Sequence, residues 1–547
     1  MAFGGCDMSK SPDLTGSLFV RGSSVGPISM ESDQIKLSHL SGRNIIFGRP
    51  GTGKTTALAN LIREFIASGH NQEEVAYLTY NRSMASEGRK KLGLNKQQAG
   101  TLHSVLSQLL GWRKSKGDDT DFLTDKDIEE FCEKWGIEKK RIFRAWEEES
   151  VEDEDDWGKF MLAYDSAKNR VPAVPVSRFL KDTKYDPDFI AAKYDEMKLN
   201  KERHDYTDIL MEGAELSFPP KKLLVLDEAQ DMTELMWKII DAWSLVSSTV
   251  VYAGDDLQSI YGFRGARAKD FLDRREGATV FHLSQSHRMT VEVKELSDMI
   301  AKRIKIKEEV NFKAKDAHSD VHRTASLEPI LTAPGERWIL CTTNWIASQV
   351  AKELDRRRIV YLPINYRHRK ITPWSEKLIR LVNSFSSWPN LEVAELAEVI
   401  KLLPASIMER GVKTLAKDGK IKEIHELLSG GLYGDFDLTR IFKQQMSATD
   451  VFKKAQIPDA KKELALKFLG KKILPEDVVR VDTYHASKGL ECPNVGVILN
   501  MTRRVQDNFR HDPDSAYRNL YVAVTRSMGS LYLINLNIER AEVAYDI

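Results

Sequence analysis

A glycine-rich octapeptide at residues 48–55, GRPGTGKT, constrains the fold of this chain more than any other segment. It fits the pattern G-x-x-x-x-G-K-[ST], in which glycines let backbone N–H groups close around phosphate oxygens at a helix N-terminus. An apolar segment at residues 45–47 precedes it, and a helical pattern follows over residues 55–68. A strand, a phosphate loop and a helix in this order predict an α/β domain built on a parallel sheet.

The loop predicts a site for ATP or GTP together with Mg²⁺. Lys54 would reach the β- and γ-phosphates, and the Thr55 hydroxyl would be a ligand of Mg²⁺. The other residues assigned to the predicted phosphate site are Gly48, Arg49, Pro50, Gly51, Thr52, Gly53 and Thr56.

A second segment, LLVLDEAQD at residues 223–231, supplies two carboxylates directly after an apolar run. Open α/β sheets bind ligands at the carboxyl ends of their strands, where these carboxylates would lie. Asp227 suits the coordination shell of Mg²⁺, and Glu228 suits activation of the attacking water. Together with the phosphate loop, this segment predicts a nucleotide-hydrolysing site.

Short apolar runs alternate with helical patterns along the chain, which predicts two helix-covered parallel sheets and hence two α/β domains. The run ATVFHLS, at residues 278–284, is assigned to the second sheet. Two long stretches with few strand signals are predicted to be mainly helical insertions. The predicted division is a flexible tail (1–30), a first domain (31–85 and 215–280) with its insertion (86–214), and a second domain (281–366 and 476–547) with a short insertion (367–475).

Composition excludes several protein classes. The chain has 81 basic and 80 acidic residues, which argues against a histone-like nucleic-acid binder but allows a local basic groove. Its four cysteines are scattered, so neither a zinc site nor a disulfide framework is predicted. No apolar run is long enough for a membrane span. We therefore expect an intracellular protein, cytoplasmic or associated with a nucleoid or nucleus, with no membrane partner.

Eight ordered segments resemble the motifs of superfamily 1 helicases of the UvrD/Rep/PcrA type. They are GRPGTGKTT, VAYLTYNRSMASEGRKKL, GTLHSVLSQLL, LLVLDEAQDM, YAGDDLQSIYGFRGA, LSQSHRM, DTYHASKGLECPNV and NLYVAVTRSM. The resemblance implies two RecA-like P-loop domains, each interrupted by a mainly helical insertion, with ATP and Mg²⁺ bound between them.

The resemblance also implies roles at the nucleotide. Gln258 would sense the γ-phosphate, and Arg288 and Arg526 would be arginine fingers from the second domain. Glu491 would bind the ribose. His287 occupies the position of an aromatic residue that stacks on adenine, and Gln34 is the candidate for reading the adenine edge.

A further set of residues would contact single-stranded DNA. By resemblance, Phe263 would stack on a base, and Arg264 would lie beside it. Stacking on an aromatic ring suits a motor on DNA, because it tolerates any base sequence. The alternative for Phe263 and Tyr80 is ordinary core packing, and for the histidines it is structural hydrogen bonding. The other predicted DNA contacts are Tyr80, His103, Asn344, Thr483 and His485.

The resulting expectation is an ATP-dependent translocase and helicase on single-stranded DNA and its junctions with duplex, moving 3′ to 5′, with RNA as an open alternative track. One rival is a P-loop kinase or small-molecule ATPase. Another is an ATPase subunit or switch of a repair, replication or defence complex that unwinds only with partners, because the insertion at 367–475 is short. Protein partners could bind that insertion or the acidic run EEESVEDEDD at residues 147–156.

Overall fold

A computed structural model describes most of the chain. The described residues are 26–80, 82–96, 98–112, 120–139, 155–181, 183–364, 374–386, 392–428, 441–444, 446–457, 459–541 and 543–546. The predicted partner segment at 147–156 lies outside them except for Asp155 and Asp156, and so does most of the predicted tail.

In the described residues, the first sheet has seven parallel strands: β1 (Ile28–Met30), β2 (Gly42–Phe47), β3 (Val75–Thr79), β4 (Ala99–Thr101), β5 (Leu223–Leu226), β6 (Thr249–Gly254) and β7 (Thr279–Leu283). Their spatial order is β1-β7-β2-β6-β5-β3-β4. Separate apolar cores cover the two faces of this sheet, which is why β5 is apolar throughout.

The helices of this half begin at the phosphate loop. They are α1 (Lys54–Ala67), α2 (Arg82–Leu92), α3 (Leu102–Leu109), α4 (Asp125–Trp135), α5 (Asp156–Lys168), α6 (Pro187–Lys201), α7 (Tyr206–Gly213), α8 (Glu234–Leu245) and α9 (Ala268–Leu272). An aromatic core that includes Phe131, Trp157 and Tyr194 holds α4, α5 and α6 together. The first insertion therefore has a core of its own.

The second sheet has six parallel strands in the described part of the chain: β8 (Val321–Thr324), β9 (Arg337–Cys341), β10 (Tyr361–Leu362), β11 (Val479–Thr483), β12 (Asn494–Ile498) and β13 (Leu531–Ile534). Their spatial order is β10-β11-β9-β12-β13-β8. Two parallel sheets confirm the predicted α/β fold class.

The remaining helices cover the second sheet or form its insertion. They are α10 (Val291–Lys302), α11 (Glu328–Leu331), α12 (Asn344–Arg356), α13 (Glu376–Ser386), α14 (Val393–Lys401), α15 (Val412–Lys417), α16 (Ile421–Leu428), α17 (Ala448–Lys454), α18 (Asp459–Leu466), α19 (Arg503–His511) and α20 (Pro513–Val524). Helices α13 to α18 share one apolar core with β9 and β11, through residues such as Val382 and Ile339. None of the helices in the described ranges combines the length and apolarity needed to cross a membrane.

The structure corrects the assignment of residues 278–284 to the second sheet. Strand β7 pairs with β2 of the first sheet, where Phe281 lies opposite Ile46. The boundary predicted at residue 281 thus falls inside a strand of the first sheet. An apolar run predicts a strand, but it carries no information about which sheet the strand joins.

Two further strands lie in segments that are predicted to be a flexible tail and a helical insertion. Strand β1 falls within the predicted flexible tail and pairs with β7, and β4 falls within the predicted first insertion and pairs with β3. Each has three residues, which is too short for an alternating pattern to be visible in the sequence.

Candidate nucleotide cleft and nucleic-acid interface

The phosphate loop connects β2 to α1. Gly51 and Gly53 have φ angles of 73° and 84°, in the left-handed region that favours glycine, and α1 begins at Lys54. Any side chain at Gly51 would also collide with Arg288, because its Cβ would lie too close to the Cβ of Arg288. Lys54 Nζ donates to the main-chain oxygen of Gly48 at 2.7 Å, so its ammonium lies within the loop.

Thr55 and Asp227 lie side by side, as predicted for ligands of one cation. Thr55 Oγ1 donates to Asp227 Oδ2 at 3.2 Å, and Tyr77 Oη donates to the same oxygen at 2.8 Å. Burial and the neighbouring Glu228 raise the pKa of Asp227 to about 6. A hydroxyl beside a single carboxylate fits Mg²⁺, which is commonly held by one or two protein oxygens together with phosphates and waters.

Glu228 follows Asp227 with a left-handed φ of 55°. Gln230 Nε2 donates to Glu228 Oε2 at 2.5 Å, and Gln230 Oε1 accepts from the N–H of Asp255 at 3.0 Å. Burial opposes ionisation of Glu228, but Lys54, Lys488 and Gln230 outweigh it and lower its pKa. Glu228 is therefore held as a carboxylate, the form that a water-activating base requires.

Gln258 and Arg526 meet between the two sheets. Gln258 Nε2 donates to Asp255 Oδ2 at 2.7 Å, and Arg526 Nη2 donates to Gln258 Oε1 at 2.9 Å. Arg526 lies just after α20, and only 1% of it is exposed. Burial and the nearby Arg288 lower the pKa of Arg526 to about 9. The predicted sensor and the predicted arginine finger are thus in direct contact.

Lys488 is a cleft residue to which the sequence assigns no role. Its Nζ lies 2.7 Å and 2.6 Å from the two carboxylate oxygens of Asp231, and it donates to the main-chain oxygen of Gln258 at 2.6 Å. Lys488 follows β11 of the second sheet, whereas both partners follow strands of the first. The segment ASKGLE belongs to one of the eight motifs. Its place in that motif led to a predicted role for Glu491 and could have led to one for Lys488 as well.

The segment after β7 also contacts the phosphate loop. Ser286 Oγ donates to the oxygen of Pro50 and the N–H of His287 donates to the oxygen of Gly51, both at 2.8 Å. Arg288 Nε donates to Glu491 Oε2 at 2.6 Å. The predicted finger Arg288 and the predicted ribose ligand Glu491 therefore lie together at the loop.

A cavity of about 800 Å³ opens beside His287. Glu31, Lys294, Lys313 and Asp316 also line it. Gln34, the candidate for reading adenine, has an exposed side chain whose Oε1 accepts from the N–H of Glu31 at 3.0 Å. The cavity fits the predicted placement of a base beside His287, while Gln34 is engaged in a local turn.

Arg49 does not extend toward the nucleotide side of the loop. Its guanidinium forms buried ion pairs with Asp255 and Asp256, at 2.6 Å and 2.8 Å. The prediction that Arg49 helps to bind phosphate is therefore not supported for its side chain.

The predicted DNA-contacting rings form one group. The rings of Tyr80 and Tyr261 stack with centroids 4.9 Å apart, and Phe263 lies 6.1 Å from Tyr261 and 5.6 Å from His485. The guanidinium of Arg264 lies 5.6 Å from the Phe263 ring. We call Tyr80, Tyr261, Phe263 and His485 the aromatic cluster. Its members follow β3, β6 and β11, so both sheets contribute to it.

His103 lies near this cluster on α3. Burial, with Arg82 and Arg264 nearby, lowers the pKa of His103 to about 4. Its ring is therefore neutral at physiological pH and packs edge-on against Tyr206 at 6.5 Å.

Asn344 and Thr483 are placed differently. Both are buried, with 6% and 2% exposure, at the carboxyl ends of β9 and β11. Thr483 Oγ1 accepts from the N–H of Ala486 at 3.4 Å. These side chains offer little surface to a nucleic-acid strand, so their predicted DNA contacts remain predictions.

Comparisons with known proteins agree with this geometry. Residues 30–278 match the model of the UvrD/REP helicase N-terminal domain. Over these residues the chain is similar to helicases of the UvrD/REP type. The matched region ends within the first sheet and contains the phosphate loop, Asp227, Gln258 and Phe263.

Several named proteins are similar to parts of this chain. The ATP-dependent DNA helicase UvrD2 of Mycobacterium tuberculosis is 27% identical over 287 residues, which cover 46% of this chain and 40% of that protein. The putative ATP-dependent DNA helicase YjcD of Bacillus subtilis is 23% identical, covering 51% of this chain and 39% of its own length. DNA helicase II of Rickettsia typhi is 23% identical, covering 48% and 43%. The chain thus matches less than half the length of each of these relatives.

Proposed function

We propose that this chain is an ATP-dependent translocase on single-stranded DNA that unwinds duplex DNA in the 3′ to 5′ direction. The observation that carries the proposal is the contact between Arg526 and Gln258, at 2.9 Å. It joins the second sheet to the loop that also carries Phe263.

The proposed chemistry uses the cleft residues in distinct roles. Lys54 and the loop N–H groups bind the phosphates, and Glu228 activates the attacking water. Mg²⁺ held by Thr55 and Asp227 would neutralise charge on the β- and γ-phosphate oxygens. Arg288 and Arg526 stabilise the charge that develops in the transition state.

Coupling to DNA follows from the position of the aromatic cluster. Phe263 belongs to the first half and His485 to the second, and their rings lie 5.6 Å apart. A movement between the sheets would change this spacing and the contact of Arg526 with Gln258 together. The stacking of these rings on bases would therefore change during the hydrolytic cycle.

The first test is ATP hydrolysis by the purified chain with and without single-stranded DNA or RNA, at two salt concentrations. Stimulation by DNA that decreases with salt is expected, because phosphate contacts release counterions. Turnover that is indifferent to any nucleic acid would contradict the proposal. Strand displacement on duplexes with a 3′ or a 5′ tail then tests polarity, and displacement from the 5′ tail alone would refute the proposed direction.

A second candidate is a DNA-stimulated ATPase that unwinds only within a repair, replication or defence complex. The observation that favours it is the small second insertion, whose helices share one apolar core with the second sheet and so form no separate arm in the described residues. DNA-stimulated hydrolysis without strand displacement by the purified chain would favour this candidate.

A further inference from the structure

Arg49 belongs to the phosphate loop, but its side chain forms ion pairs with two buried aspartates that follow β6. Its Nη1 lies 2.6 Å from Asp255 Oδ1 and 2.8 Å from Asp256 Oδ1, and its Nη2 donates to the main-chain oxygen of Glu308. Arg49 is 3% exposed, and both carboxylates are fully buried. The guanidinium therefore compensates two charges that have no access to solvent.

The second oxygen of Asp255 determines how Gln258 is oriented. Asp255 Oδ2 accepts from Gln258 Nε2 at 2.7 Å. The NH₂ group of the Gln258 amide therefore faces Asp255. The amide oxygen then faces the opposite way, where it accepts from Arg526 Nη2 at 2.9 Å.

We propose that Arg49 is a positioning residue that holds the Asp255 carboxylate in place and thereby aims the Gln258 amide oxygen at Arg526. The path runs from the phosphate loop through Asp255 and Gln258 to the second half of the molecule. This inference rests on the proposed function, since it assigns a residue that prepares the hydrolytic site without touching the nucleotide.

Removal of Arg49 has a defined electrostatic consequence. Asp255 and Asp256 would be adjacent buried carboxylates without the cation that holds them together, and their mutual repulsion would displace Asp255. A displaced Asp255 no longer accepts from the NH₂ group of Gln258, so the amide is free to turn over and lose its contact with Arg526. Arg518 does not replace Arg49, because its Nε bonds the main-chain oxygen of Asp256.

The test separates binding from turnover in Arg49→Met, a variant that keeps the unbranched stem but removes the charge. Equilibrium binding uses a fluorescent non-hydrolysable ATP analogue, and hydrolysis is measured with saturating single-stranded DNA. We expect kcat to fall about 10²-fold, as for a misplaced catalytic group, while the Kd of the analogue stays within about threefold. A raised Kd with unchanged kcat would overturn the inference and would indicate that Arg49 binds phosphate directly.

A double-mutant comparison tests the path itself. If Arg49 acts through Gln258, the double variant Arg49→Met, Gln258→Ala should have the same kcat as Gln258→Ala alone. Multiplication of the two single effects would show that Arg49 acts by another route and would overturn the proposal.

The control is Arg337→Met, which removes another buried arginine on β9 whose guanidinium bonds the main-chain oxygens of Leu331 and Glu476. Its kcat is expected to match that of wild type. If Arg49→Met does not fold, Arg49→Lys serves instead, with an expected loss of about tenfold in kcat because an ammonium lacks the guanidinium fork. Wild-type kcat in the soluble variant refutes the inference, whereas absence of hydrolysis in wild type refutes the proposed function.

Discussion

The nucleotide cleft and the aromatic cluster lie in one molecule but are built by opposite means. In the cleft, polar side chains hold each other through directional bonds, as Lys488 does with Asp231 and Gln258 at 2.6–2.7 Å. In the cluster, rings meet through faces and edges with centroids 4.9–6.4 Å apart. Transfer of a phosphoryl group requires one geometry, whereas a track of changing bases requires contacts that accept any base.

The largest effect is expected from Lys54→Ala, which removes a positive charge from the nucleotide cleft. Hydrolysis should fall about 10²–10³-fold, the loss typical of removing one group that stabilises the transition state. Steady-state ATP turnover measures it. Affinity for single-stranded DNA is the internal control and should be retained, because Lys54 lies outside the aromatic cluster. Near-normal turnover would refute the site.

Lys488→Met should lower the free energy of unfolding by about 3–5 kcal/mol, because it leaves Asp231 buried without its cation. Denaturant titration measures this change. The matched control, Lys488→Met with Asp231→Leu, should recover most of the loss, since an apolar pair leaves no buried charge. A single variant as stable as wild type would show that the cleft does not depend on this pair.

Phe263→Ala probes the aromatic cluster. Stacking contributes about 1–3 kcal/mol per base, so affinity for single-stranded DNA should fall by that free energy while basal hydrolysis is unchanged. Fluorescence anisotropy with a labelled oligonucleotide gives the affinity. Phe179→Ala, an exposed ring on the first insertion, is the control. Equal stimulation by DNA in wild type and Phe263→Ala would mean that this ring only packs against its neighbours.

The smallest effect is expected on α5, the helix that supports the aromatic cluster. There Ser166 Oγ donates to the main-chain oxygen of Phe263 at 2.8 Å. Burial raises the pKa of the adjacent Asp165 to about 7, although Thr207 donates to it. The folded state therefore binds more protons than the unfolded state between about pH 4 and 7, so stability decreases as pH rises through this window.

Asp165→Asn mimics the protonated side chain and should remove that part of the pH dependence. At pH 8 we expect the variant to be more stable than wild type by about 1–2 kcal/mol. Denaturant unfolding of both proteins at several pH values between 5 and 8 measures the difference. Parallel pH profiles would contradict the assignment.

The sequence is most informative where a local motif specifies local geometry. The phosphate loop needs its glycines and a following helix, so its position could be predicted, and Asp227 ends a strand beside Thr55 as expected. The fold class was also predictable, because buried parallel strands are continuous apolar runs.

Partner choice over long distances could not be predicted. Nothing near Arg49 in the sequence shows that its charge is paired with carboxylates some 206 residues away, nor that Lys488 bonds Asp231. Burial is similarly hidden, since a motif position predicts a DNA contact for Thr483 and the fold leaves it 2% exposed. The sheet that β7 joins is hidden for the same reason.

The correction to β7 has a mechanical consequence. After Leu283 the chain leaves the first sheet, and only Ser284 and Gln285 precede the residue whose hydroxyl bonds Pro50 in the phosphate loop. The segment that joins the two halves is therefore bonded to the phosphate loop within three residues of leaving the first sheet. A displacement of the second half would therefore act on the phosphate loop through this short segment as well as through the side chains of the cleft.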